Sequence, residues 1–298
     1  MSDLEERLEG YRRAAEAALD ASLPPETAWP ATLHRAIRYS VFAGGKRLRP
    51  LLVLASAEAV GGVADDALPL ACAVEMVHTF SLIHDDLPAM DDDDLRRGKP
   101  TCHKVFGEAV AILAGDALLS RAFEVLLSLP VAANAESSRR RLAAAALLAA
   151  AVGTTGLVGG QVEDLESEGV VVDAAALERI HRAKTGALLR TCVRGGALLG
   201  GAGSEQLAAL DGYAAAVGLA FQVVDDILDA TEDAARLGKT AGKDHAARKA
   251  TYVSVHGLEA ARRMADALLA EALAALAPIA ARAQTLATLA RRMVERRA

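Results

Sequence analysis

Six aspartates fall within ten residues of this chain: Asp85 and Asp86, then Asp91, Asp92, Asp93 and Asp94. They lie in residues 82–101, LIHDDLPAMDDDDLRRGKPT, with only Arg96, Arg97 and Lys99 following to offset them. Carboxylates this close repel one another, and where they are partly buried each raises its neighbours' pKa. A bound cation removes that cost. Oxygen-only donors suit a hard ion such as magnesium, which keeps several waters and shares itself with substrate phosphates. An isolated Asp run would read as a solvated loop. The left flank argues otherwise: EMVHTFSLIHDD is apolar and helical in pattern, so the first carboxylates sit where a buried helix ends. Pro88 then stops or kinks that helix.

A second cluster repeats the chemistry. Residues 218–230, GLAFQVVDDILDA, form an apolar helical run carrying Gln222, Asp225, Asp226 and Asp229. The spacing i, i+3, i+4, i+7 draws one polar stripe down an otherwise apolar helix. A surface helix spreads its charges over a broad face; a stripe this narrow predicts an inner cavity.

The apolar content is 52% of the chain but only 3% is aromatic, so alanine and leucine carry it. Both favour helix over strand, and an all-α fold is expected. No linker or composition break divides residues 1–298, which predicts one domain. A net charge of −6 argues against a nucleic-acid partner. Cys72, Cys102 and Cys192 are odd in number and lack CxxC spacing, which predicts reduced thiols and a cytoplasmic location. The charged N-terminus lacks the apolar segment of a signal peptide. Residues 142–161 are uncharged and long enough to span a bilayer. Alanine is their commonest residue, with Thr154, Thr155 and four glycines towards the end, and they lack the large aliphatic run that drives insertion. A buried helix, and not a membrane protein, is expected.

Taken in order, helices are expected over 3–20, 33–41, 51–60, 68–84, 103–129, 139–152, 174–200 and much of 257–298. Between the second and third comes Gly44-Gly45-Lys46-Arg47-Leu48-Arg49-Pro50, three cations at a glycine-flanked helix junction. Glycine lets a backbone approach closely and arginine grips two oxygens at once, so this is a candidate diphosphate clamp. His78 lies seven residues before Asp85, on nearly the same helix face, where it could donate to a phosphate. Phe80 and Ser81, about one turn below, would floor a pocket opening at the carboxylates. Lys184-Thr185 sits mid-helix; the lysine either snorkels outward or serves a site that needs a cation. Residues 238–244, GKTAGKD, resemble a nucleotide-binding loop, but Asp233 occupies the position of its first glycine and no parallel strand precedes it. A basic, glycine-hinged segment with Lys239 and Lys243 remains.

Two carboxylate clusters for metal, several basic groups for phosphate and an apolar cavity point to one chemistry. Divalent ions on a diphosphate take up the charge it develops as it leaves. If the departing carbon is allylic, the resulting cation needs dry, smooth walls more than a nucleophile. That is ionisation-driven prenyl transfer.

The motifs GGKRLRP, HTFSLIHDDLPAMDDDDLRRGKPT, GGQVEDLESEG, KTGALLR, FQVVDDILD and GKTAGKD occur in the order and spacing of the trans-isoprenyl diphosphate synthases. The chain resembles that family from about residue 33 to 243, most closely the bacterial farnesyl diphosphate synthases. The resemblance implies one all-α bundle of ten or more helices around a central cavity, and a homodimer. It implies magnesium, three ions with manganese as a substitute. Asp85 and Asp91, supported by Asp86, would hold two, and Asp225, with Asp226 and Asp229 nearby, the third. It makes Gly45, Lys46, Arg49, His78 and Arg97 the isopentenyl diphosphate clamp, and Arg96, Lys184, Lys239 and Lys243 contacts to the allylic diphosphate. Thr185 and Gln222 would line the path of the cation. The implied reaction is head-to-tail 1′-4 condensation, and Phe80, five residues before the first Asp, implies a fifteen-carbon product. The geometry is less tidy, since five residues is about 140° round a helix and Ser81 lies nearer the Asp85 face. Geranyl or geranylgeranyl diphosphate is the alternative product. A class I terpene cyclase would not need the second clamp, and a non-catalytic partner subunit would have broken Asp motifs.

Overall fold

The computed structural model of the protein describes residues 3–128, 134–170, 172–231 and 250–295. As the alanine- and leucine-rich composition leads one to expect, most of them are helical. They fall into two compact units, each assembled from separate stretches of chain.

The first unit holds residues 3–51 and 68–128. Its helices are α1 (Asp3–Ser22), α2 (Ala31–Val41), the first turn of α3 (Leu48–Ala59), α4 (Leu68–Asp85), α5 (Cys102–Phe106) and α6 (Glu108–Ser128). α4 is its axis. Leu70, Val74, Met76, Val77, Phe80 and Ile83 are all buried, because α6 covers one side and α1 and α2 the other. Between α4 and α5 a two-stranded antiparallel hairpin pairs β1 (Leu95–Arg96) with β2 (Lys99–Pro100), turning at Arg97 (φ 55°) and Gly98 (φ 75°). The single helix expected over 103–129 is two, because Gly107 takes φ 82° and breaks the ladder.

The second unit holds residues 52–67, 134–170, 172–231 and 250–295. It contains the rest of α3, then α7 (Ala135–Val152), α8 (Leu157–Glu166), α9 (Ala174–His181), α10 (Ala187–Gly200), α11 (Ser204–Thr231), α12 (Tyr252–His256), α13 (Leu258–Ala275) and α14 (Gln284–Val294). α11 is the centre, packing on α10, α13 and α14. Val223, Val224 and Ile227 interlock with Ala261, Ala265 and Val294, and the buried Tyr213 hydroxyl donates to the Leu286 carbonyl at 2.8 Å. The helix expected over 174–200 is interrupted by a π-helical turn, Arg182–Gly186. The C-terminal run is likewise divided by a short 3₁₀ turn, Ala277–Ile279.

Among the described residues three helical stretches, 64–85, 135–166 and 204–231, have the length and composition to cross a membrane, where the sequence singled out one. In the first and third, most of the apolar window is buried inside the protein. The stretch over 142–161 is split into α7 and α8 at residues 153–156.

Candidate active site

In the first unit the acidic run is folded back on itself. The backbone amide of Asp91 donates to the Asp85 carbonyl at 2.8 Å, and that of Asp93 to the Asp86 carbonyl at 3.2 Å. This turn, forced by Pro88 just past the end of α4, brings Asp91 round to Asp85. Both carboxylates are partly open, and as oxygen donors on adjacent backbone they fit a hard divalent ion. Asp86 instead points inward and is 3% exposed. Burial pushes its carboxyl up to about 6, against the pull of Arg96. Arg96 reaches it from β1 through Nε at 3.0 Å and also through Nη2, which lies 3.5 Å from Asp93 Oδ2. Asp92, Asp94 and His103 form a further grouping, their ligand atoms within 4.8 Å of one another, with Asp94 held by Lys104 Nζ at 2.7 Å.

The basic clamp lies in the same unit. Gly44 and Gly45 take φ 100° and 125°, and Lys46 after them is exposed. Arg97 reaches back from the hairpin and donates to the Gly44 carbonyl. Its guanidinium lies where a Cβ on Gly45 would come within 2.5 Å, so only glycine admits it. Arg49 and His78 are partly buried, and burial together with Arg49, Arg97, Arg96 and Arg47 holds the His78 imidazole well below the usual histidine range. His78 is therefore a neutral ring among cations. Arg47, one of the three cations expected to face outward, does not. It is 3% exposed and pairs with Glu75 on α4. Phe80 is buried, with its ring edge-on to His84 at 5.0 Å. Ser81 spends its hydroxyl on the His78 carbonyl of its own helix, at 2.9 Å.

In the second unit the polar stripe on α11 divides. Gln222, Asp225 and Asp229 are partly open, whereas Asp226 is 7% exposed. Its Oδ2 accepts from the Tyr252 backbone amide at 2.6 Å and lies 3.8 Å from His181 Nε2. His181 stacks on the Tyr252 ring, and Tyr252 on His256. Lys184 and Thr185 occupy the π-turn, a distortion that often marks functional sites. The turn packs on α11 near Gly218. Gly160 of α8 meets it on another side, where a Cβ would lie 2.4 Å from the Lys184 amide nitrogen. One helical turn further on, Asp164 Oδ2 accepts from Lys184 Nζ at 2.7 Å. The lysine thus turns to a site carboxylate rather than to bulk water. Lys239 and Lys243 lie outside the described residues.

Glu75, Asp164, His181 and Tyr252 are the residues that sequence reasoning did not assign, and Arg47 the one it grouped with the clamp but the structure turns inward. Only Asp164 left a signal, as a charged group close behind the Gly159-Gly160 pair.

The family described as polyprenyl synthetase matches residues 30–286. The chain is 51% identical over 295 residues, 99% of its length and 84% of the relative's, to a dimethylallyltranstransferase of Fischerella ambigua. It is 53% identical over 258 residues to the heterodimeric geranylgeranyl pyrophosphate synthase large subunit 1 of Arabidopsis thaliana, covering 86% of this chain and 69% of that one. Among solved structures, the geranyltransferase of Helicobacter pylori complexed with magnesium and isoprenyl diphosphate superposes with a TM-score of 0.85 at 30% identity, covering 99% and 97% of the two chains.

Proposed function

Because the chain belongs to the polyprenyl synthetase family, and so to the prenyltransferases that condense prenyl diphosphates head to tail, we propose that it is a farnesyl diphosphate synthase. The observation that carries the reading is in the first unit. A carboxylate turn built from Asp85 and Asp91 shares that unit with a separate cluster of cations, Lys46, Arg49, Arg97 and the neutral His78. One polar centre suits a metal-bound allylic diphosphate, the other a second diphosphate that keeps its charge.

In this reading Asp85 and Asp91, with Asp86 in support, would hold two magnesium ions, and Asp225 and Asp229, with Asp226 beside them, would hold a third. The ions supply the positive charge that makes the allylic diphosphate a good leaving group. Arg96 in the first unit and Lys184 in the second, with Lys239 and Lys243, are the positions at which the family's motifs place contacts to the allylic diphosphate. The C–O bond breaks and the diphosphate leaves with the electron pair. Thr185 and Gln222 turn oxygen dipoles towards the allylic cation and exclude water. Lys46, Arg49, His78 and Arg97, with Gly45 giving backbone access, hold isopentenyl diphosphate so that its double bond attacks the cation carbon. The proton then lost passes to the released diphosphate. Phe80, buried below the first carboxylate, closes the pocket at fifteen carbons. Incubation with labelled isopentenyl diphosphate, geranyl diphosphate and magnesium should give farnesyl diphosphate as the main product on chromatography. Twenty-carbon product in its place would move the assignment to geranylgeranyl diphosphate.

A homodimer fits the open apolar side chains of Ile112, Leu113 and Leu127 on α6, and sedimentation velocity tests it. Three buried cysteines, Cys72, Cys102 and Cys192, that the structure does not join in disulfides fit a cytoplasmic location.

A further inference from the structure

We propose that Arg47 and Glu75 are the positioning pair of the isopentenyl diphosphate clamp. Neither touches substrate; together they set the direction in which Lys46, Arg49 and His78 present their side chains. The inference rests on reading those three residues and Arg97 as that clamp.

Arg47 is buried between two groups that are not. Lys46 before it is exposed, and Arg49 after it is partly open. The alternation is imposed by the backbone. Arg47 takes φ 51°, a left-handed conformation that a long side chain rarely adopts and that other contacts must hold. Those contacts are present. Arg47 Nη1 lies 2.8 Å from Glu75 Oε1, and Nη2 donates at 2.8 Å to the carbonyl of Val41, the last residue of α2. Nε lies 3.6 Å from Glu16 Oε1 on α1. Glu75 is 2% exposed and sits on α4 one helical turn before His78. A single buried guanidinium thus ties the end of α2, the loop bearing Lys46, the first turn of α3 bearing Arg49, and the helix bearing His78 into one frame.

The surrounding charge sharpens the point. Arg47, Arg49, Arg96 and Arg97 all bear on His78, so the clamp is a concentration of positive charge. Without Glu75 to draw it inward, Arg47 would be driven out of a buried position by its neighbours. In turning outward it would rotate the backbone from which Lys46 and Arg49 extend. The clamp would keep its charges and lose their geometry, and a diphosphate held by several fixed donors depends on geometry.

The test uses the full chain with magnesium. Removing one partner of a buried ion pair strands the other, whereas replacing both with apolar side chains of similar volume is often neutral for stability. The double variant Arg47→Met/Glu75→Met therefore separates fold from positioning. It should melt near the wild-type temperature and raise the KM for isopentenyl diphosphate by about tenfold or more, with the KM for geranyl diphosphate changed less than about twofold. Calorimetric titration with isopentenyl diphosphate alone should show the same weakening, and Arg47→Lys should recover part of it. A folded double variant in which both KM values move together, or neither moves, overturns the proposal. If the double variant does not fold, the isosteric Glu75→Gln decides, and an unchanged isopentenyl KM overturns it. Loss of fold in every variant also overturns it, since the pair would then hold the unit as a whole. Arg49→Ala is the control. If it leaves the isopentenyl KM untouched, the clamp assignment itself has failed, whatever the pair does.

Discussion

Each unit carries an Asp-Asp pair, and in each the second aspartate is buried, Asp86 at 3% and Asp226 at 7% exposure. They are satisfied in different ways. Asp86 is met by the guanidinium of Arg96, ten residues away on a hairpin. Asp226 is met by the Tyr252 backbone amide, 26 residues away at the start of α12. A side-chain partner can swing to another anion; a backbone amide at a helix start cannot. The first pair is therefore poised to exchange partners when substrate arrives, and the second is built into the fold. In both units the first aspartate, Asp85 or Asp225, is the partly open one and is the better candidate metal ligand.

The largest effect expected from this contrast falls on those first aspartates. Asp85→Asn and Asp225→Asn should each lower kcat by about 10³-fold, the scale on which removing one preorganised charge-stabilising group acts, with thermal stability nearly unchanged. Steady-state kinetics over a magnesium titration checks it. Equal kcat in wild type and variant would remove that residue from metal binding.

The second aspartates should part company. Asp226→Ala removes the acceptor of a buried amide and should cost about 2 kcal/mol of stability, as for a hydrogen bond to a charged group. Asp86→Ala relieves a carboxyl already pushed up to about 6 and leaves Arg96 its contact with Asp93 at 3.5 Å, so it should cost less stability and more activity. Urea unfolding beside kinetics on both variants decides. If both lose stability equally, the contrast between side-chain and backbone partners is broken.

A smaller change, of outcome rather than rate, is expected at Phe80. Truncating its ring in Phe80→Ala opens buried space beside His84 and should shift product to chains longer than fifteen carbons, with kcat changed less than about tenfold. Chromatography that shows an unchanged product removes Phe80 from length control. His84→Ala should give a weaker shift, because His84 only buttresses the ring while reaching the Ile112 carbonyl at 3.0 Å.

How much of this was legible in the sequence follows the same division. The carboxylate run and the polar stripe were legible because their spacing is local: a Pro-stopped helix in one case, a period of 3.6 in the other. The partners were not. Nothing in the run of residues tells that Asp164 meets Lys184 or that Tyr252 meets Asp226, since those contacts depend on how α8 packs on the π-turn and how α12 packs on α11. The π-turn was hidden for a related reason: residues 174–200 look like uninterrupted helix, and the distortion at Arg182–Gly186 comes where Gly160 and Gly218 allow close packing. Arg47 was misjudged because three cations in four residues read as one surface, while its burial depends on Glu75, 28 residues on.

The smallest effect concerns His78, and its sign follows from its burial and the cations around it. The folded-state pKa is depressed, while the unfolded value is near 6.5. Below pH 6.5 the unfolded chain therefore binds a proton that the folded chain does not, and stability falls as pH drops through that region; above it His78 contributes no slope. His78→Gln keeps a neutral donor and cannot take up the proton. Between pH 6.5 and 5.5 the wild type should lose about 1 kcal/mol more than His78→Gln, within the limit of one proton per pH unit. Urea unfolding at the two pH values measures the difference. Because the variant still offers an N–H to a phosphate oxygen, its KM for isopentenyl diphosphate at pH 7.5 should rise less than about fivefold. Identical pH slopes in the two proteins would mean that the arginines do not hold the ring neutral, and the clamp would then have to be read with a charged histidine.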